Sequence, residues 1–151
     1  PIKEIAAAMY PEVDRQVWFG PSELRSTILP YSENKTARDL LLELGKLGRS
    51  LDIHRWIRLT LIEADKQLAG YGSIIITDNR FRNEYNMLRD KDYFIVRIIR
   101  SSNSYILDDS SEKELDNLPD TAFDYTISND GNLQDLKLQV SRLYQQIKIQ
   151  H

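Results

Sequence analysis

Apolar residues recur at helical spacing through the first half of the chain and gather into short unbroken runs in the second. The opening Pro1-Ile-Lys-Glu-Ile-Ala-Ala-Ala-Met9 fits a helix, with proline tolerated in its first turn. Tyr10 to Asn34 is punctuated by Pro11, Gly20, Pro21 and Pro30 and is expected to be a loop. From Thr36 to Arg49, Leu40, Leu41, Leu44 and Leu47 follow the helical period. A further helix is expected over Asp52 to Ala69, where Ile53, Trp56, Ile57, Thr60 and Leu61 share one face and Gly70 supplies a stop.

The period then changes. Ser73-Ile-Ile-Ile-Thr77 is continuously apolar and β-branched, the pattern of a strand covered on both faces. A short helix over about Arg82 to Arg89 leads to a second run, Tyr93-Phe-Ile-Val-Arg-Ile-Ile99. Strand, helix and strand in this order predict a βαβ unit, with Ile74–Ile76 and Phe94–Ile98 as adjacent or near-adjacent parallel strands. Arg100 to Pro119 is polar; Tyr125-Thr-Ile127 is a last strand, ended by the turn sequence Ser128-Asn-Asp-Gly131. The closing helix begins near Asn132 and is expected to bury Leu133, Leu136, Val140, Leu143 and Ile147. The class is α/β. Three strands fall short of the five or six usual in a sheet, so either strands are hidden or the chain begins after them.

At 151 residues the chain fits a single domain, with no internal repeat or low-complexity tract. A net charge of −3 argues against a duplex nucleic-acid partner, though it allows basic residues to gather in one cleft. With no cysteine, disulfides and thiolate chemistry are excluded. No apolar run approaches the roughly 20 residues of a membrane span and no leader pattern is visible, so a cytoplasmic protein acting on a small molecule is expected.

Open parallel sheets bind ligands at the carboxyl ends of their strands. That rule selects Asp78 and Arg80 after the first run, Arg100 after the second, and Asn129 to Gly131 after the third. A carboxylate in the first position suits Mg²⁺ or its waters, and an arginine beside it suits a phosphate. Asp78 is equally a common turn residue. His54 has no partner at metal-ligand spacing, and Ser22 lies in no nucleophile-elbow sequence.

Thr77-Asp-Asn-Arg-Phe-Arg-Asn-Glu84 resembles the signature of phage-type deoxynucleoside monophosphate kinases, in which a strand leads into D-x-R-F-x-N-E. Ile127-Ser-Asn-Asp-Gly-Asn-Leu-Gln-Asp-Leu136 is similar to their closing strand, turn and helix. Gly20-Pro-Ser-Glu-Leu-Arg25 and Leu44-Gly-Lys-Leu-Gly-Arg49, followed by Asp52 and Trp56, resemble their monophosphate-binding half, and Pro1-Ile-Lys-Glu-Ile5 the segment after their second strand. The resemblance implies a three-layer α/β/α P-loop kinase-like core, with a helical monophosphate-binding region and a short lid at about 100–119. It implies ATP and Mg²⁺ as cofactors and a deoxynucleoside monophosphate as substrate. By the same resemblance Asp78, Arg80 and Arg100 are catalytic, with Asp78 also at the metal. Arg25, Arg49, Trp56, Arg80 and Glu84 would bind substrate, and Ser111 and Glu112 would belong to the lid. Plainer readings stand beside these: Trp56 as a core aromatic, Arg25 and Arg49 as solvated charges, and Glu84 as an i, i+4 partner of Arg80.

Two departures matter. Lys46 stands where a threonine is expected, and no G-x-x-x-x-G-K-[ST] sequence occurs, so the loop that cradles ATP phosphates is missing from these residues. The 151 residues by themselves are therefore expected to lack kinase turnover. The alternative is a non-catalytic descendant that binds a nucleotide, a protein partner or a second copy through an exposed sheet edge.

Overall fold

A computed structural model of the chain describes residues 1–101 and 114–150, which divide into two compact units between Ile76 and Thr77. The first unit is helical: α1 (Ile2–Met9), α2 (Arg15–Phe19), a 3-10 turn (Ser22–Ser26), α3 (Ala37–Leu51) and α4 (Arg55–Tyr71). Its core gathers Ala6, Val17, Trp18, Leu29, Ala37 and Leu40, with Trp18 fully buried beside the Tyr10 ring. The expected loop over Tyr10–Asn34 thus contains a helix. Asp14 starts it by accepting the Gln16 N–H at 2.8 Å, and five residues are too few to show a period.

Thr36 caps α3 reciprocally. Its hydroxyl accepts the Asp39 N–H while the Asp39 carboxylate accepts the Thr36 N–H at 2.8 Å, which satisfies two donors the helix start would otherwise orphan. The leucine stripe is only partly inside: Leu40 is buried, Leu41 and Leu44 are half-buried, and Leu47 is exposed. On α4, Ile57 and Leu61 are buried as expected, whereas Ile53 is exposed. The helix ends at Gly72 rather than Gly70. Gly72 takes φ +72°, a left-handed conformation that closes a helix cheaply only without a Cβ.

The second unit contains α5 (Arg82–Arg89), β1 (Val96–Ile99), a 3-10 turn (Asp120–Ala122), β2 (Tyr125–Ser128) and α6 (Leu133–Gln150). β1 and β2 are parallel neighbours, with Val96 opposite Tyr125 and Ile99 opposite Ser128. α6 packs on β2, where Ile127 and Leu143 are buried. Gln139 of α6 gives its amide N–H to the Ser128 carbonyl at 2.7 Å and accepts the Ser128 N–H, so a side chain satisfies a strand-end peptide. Leu133 and Val140, expected inside, are exposed, and Leu136 and Ile147 are half-buried.

The expected first strand is absent: residues 73–80 have no regular structure, and Ile75 is 88% exposed. β-branched composition favours an extended backbone, but a strand exists through its ladder, and no described segment pairs with this one. Two parallel strands remain of the three expected.

The second unit is tied together by Arg89, at the end of α5. Its guanidinium donates to both Asp124 oxygens, at 2.9 and 2.7 Å, and to the Ala122 carbonyl, which also accepts the Tyr85 hydroxyl. Burial alone would push the Asp124 carboxyl up. The Ile95 N–H and the Arg89 guanidinium outweigh burial and hold it below the usual carboxylate range. The Asp39 carboxyl is likewise lowered, by hydrogen bonds from the Thr36 hydroxyl and N–H. A carboxyl with a lower pKa folded than unfolded stabilises the fold above its ordinary value of about 3.9, and that contribution fades as pH falls through the lowered value. Urea midpoints should therefore decline as the pH drops below about 4, and Asp39→Asn should remove part of the decline. A midpoint that rises on acidification would contradict both assignments.

Candidate functional site

In the first unit the structure brings Arg49 and Trp56 together on one stretch of α3. Gly45 and Gly48 lie one turn apart and present bare backbone there. The Trp56 indole N–H donates to the Gly45 carbonyl at 2.9 Å, and a Cβ built on Gly48 would lie only 2.2 Å from the indole ring. The Arg49 guanidinium folds back over Gly45, with Nη1 at 3.5 Å from the position a Cβ would take. Both side chains stay partly exposed, so a cation and an aromatic ring share one accessible patch. The indole is thus packed against α3 while part of it stays accessible.

Gly48→Ala follows as a packing test. A methyl group 2.2 Å from a ring atom forces the α3–α4 contact apart, and overpacking of this kind costs about 1–3 kcal/mol. The variant should melt earlier and shift Trp56 fluorescence to the red; unchanged stability would show that Trp56 is not seated there.

Arg25 sits in the 3-10 turn, half-buried, in a segment that packs against α3. Its Nε is buried with no hydrogen-bond partner among the described residues. Asp52 holds the α3–α4 connection: Oδ1 accepts the His54 N–H at 2.9 Å and Oδ2 receives Arg58 at 2.6 Å.

In the second unit, Asp78 and Arg80 pair with each other, Arg80 Nε donating to Asp78 Oδ1 at 2.6 Å, and both are exposed. Glu84 turns its carboxylate onto the backbone N–H groups of Arg80 and Phe81, at 3.1 and 3.2 Å. It therefore caps α5 and fixes the loop that carries Arg80. The next amide, Arg82 N–H, donates to Glu114 at 2.9 Å. Glu114 was not singled out from the sequence, because nothing local connects it to a helix start 32 positions away. Ser111 and Glu112 lie outside the described residues.

Arg100 and the Asn129–Gly131 turn meet at the carboxyl ends of β1 and β2, as the parallel-sheet rule expects. Asp130 receives the Ser101 N–H at 2.6 Å, the Ser101 hydroxyl at 3.1 Å and the Ser128 hydroxyl at 2.7 Å. The Ser128 hydroxyl and then the Ser101 N–H hold its carboxyl below the usual range.

Among the described residues no group of three or more His, Asp or Glu side chains could cage a metal ion. A single exposed carboxylate such as Asp78 still fits Mg²⁺, which keeps most of its waters and usually takes one or two protein carboxylates plus phosphate oxygens. No described helix is long and apolar enough to cross a membrane.

The family model described as deoxynucleotide monophosphate kinase matches residues 9–140, which span both units. No curated protein and no solved structure matches the chain.

Proposed function

The chain belongs to the deoxynucleotide monophosphate kinase family, and we propose that it binds a deoxynucleoside monophosphate for ATP-dependent phosphoryl transfer that yields the diphosphate. In that reaction a monophosphate oxygen forms a bond to the γ-phosphorus of ATP as the bond to the ADP oxygen breaks. The observation that carries this reading is the family match across both units, together with Arg25, Arg49 and Trp56 in the first and Arg80 and Arg100 in the second.

From the first unit, Arg49 and Arg25 supply positive charge to the phosphate, and Trp56 offers a ring edge to the base. From the second, Arg80 takes phosphate through its planar fork once a ligand competes with Asp78, and Arg100 meets the group in transfer. Asp78 would hold Mg²⁺, whose charge, when bound, offsets that of the phosphates. The chain's own residues act by positioning and neutralising charge, the usual content of phosphoryl-transfer catalysis. A three-layer P-loop core and a cytoplasmic location are what this reading implies.

A second reading, binding without catalysis, rests on one sequence fact: no phosphate-loop sequence occurs in these residues. Both readings require monophosphate binding. Calorimetric titration of the four deoxynucleoside monophosphates into the folded chain, with ATP alongside, tests that shared claim. Binding of a monophosphate supports it, and binding of ATP alone contradicts it.

A further inference from the structure

The turn Ser128-Asn-Asp-Gly131 does more than end a strand. Arg100 follows the last residue of β1, and the residues on both sides of it are bonded to this turn. The Ile99 carbonyl accepts the Asn129 N–H at 2.7 Å, and the Ser101 N–H donates to Asp130 at 2.6 Å. Asp130 is held in turn by the hydroxyls of Ser101 and Ser128. A strand normally loses its constraints at the last ladder bond, and an arginine one residue beyond would start from a mobile backbone. Here the Arg100 Cα is clamped between two anchored neighbours.

We propose that Asp130 is the positioning residue for Arg100, fixing the backbone from which its guanidinium reaches the phosphoryl group in transfer. This rests on the functional reading above and adds a residue to it. Pre-ordering matters because a long flexible side chain gives up part of its binding energy to ordering, and a fixed origin reduces that loss. The charge of Asp130 near Arg100 supplies a rival role with the opposite sign. A carboxylate that merely competed with phosphate would weaken binding, and its removal would strengthen it.

The product makes the discriminating probe. A deoxynucleoside diphosphate carries the transferred group as its β-phosphate, whereas the monophosphate lacks it. The ratio of the two affinities therefore isolates the contact made by Arg100. In the full chain, Asp130→Ala is expected to lower the diphosphate-over-monophosphate ratio about tenfold, a typical loss for one charge-assisted bond, while monophosphate affinity holds. Arg100→Ala should lower the ratio equally, and the double variant no further. Amide exchange at Ser101 should accelerate in Asp130→Ala and not in Arg100→Ala. Should Asp130→Ala fail to fold, Asp130→Asn, which keeps one acceptor oxygen, carries the same test with a smaller drop. An unchanged or raised ratio in a variant that binds monophosphate normally overturns the positioning role alone. A wild-type chain that binds neither nucleotide overturns it together with the functional reading.

Discussion

Trp18→Ala is expected to cost the first unit about 3–5 kcal/mol, the usual range for removing a fully buried tryptophan. Trp18 has no exposed surface and stands among Ala6, Val17, Leu29, Ala37 and Leu40, with Tyr10 packed alongside. Most of its neighbours are small or come from short elements, so they cannot close over the cavity. Trp18→Phe should cost far less. The Trp18 Nε1 is buried with no hydrogen-bond partner among the described residues, and phenylalanine removes that unpaired donor while keeping most of the ring. Urea denaturation followed by circular dichroism separates the two variants. A loss below about 1 kcal/mol in Trp18→Ala would mean that this tryptophan is not the centre of the core.

The second large effect falls on binding. Arg49→Ala and Arg80→Ala should each weaken deoxynucleoside monophosphate binding by about 1.5–3 kcal/mol, or roughly ten- to a hundredfold. Neither change should disturb folding much. Arg49 lies over the bare backbone of Gly45, and alanine is the best helix former. Arg80 pairs with Asp78 on the surface, where an ion pair contributes little. Lys66→Ala provides the control, since Lys66 is an exposed α4 residue 3.8 Å from Glu63 and should leave affinity unchanged. Equal losses in all three variants would point to a general charge effect and remove the specific roles.

The second unit was the more legible half of the chain. The range Arg82–Arg89 is read correctly from sequence because a polar loop precedes it and Asp90 to Asp92 follow it. The run Tyr93–Ile99 shortens to Val96–Ile99, since pairing with β2 starts only at Tyr125. Ile74–Ile76 misleads because apolar β-branched composition looks alike whether or not a neighbouring strand is there to pair with it. Exposure of Leu133, Val140 and Ile53 has a similar origin: periodicity identifies a helix face, while its burial depends on what covers it.

Position was legible where a residue directly follows a strand, as Arg100 follows β1 and the 129–131 turn follows β2. Roles spread over distant positions were not. Gly48 stands in sequence only as part of a family-like segment, and the seated Trp56 shows why a side chain is excluded there. That the Glu84 carboxylate rests on two backbone amides could not be read from its position in the motif. Asp130 suggests an ordinary turn residue until its three donors are counted.

The central claim is that the chain binds a deoxynucleoside monophosphate, and isothermal titration of the wild-type chain tests it most directly. The predicted result is saturable binding of at least one of the four monophosphates, weakened ten- to a hundredfold or so in Arg49→Ala and in Arg80→Ala. A folded wild-type chain that binds none of the four would contradict the account.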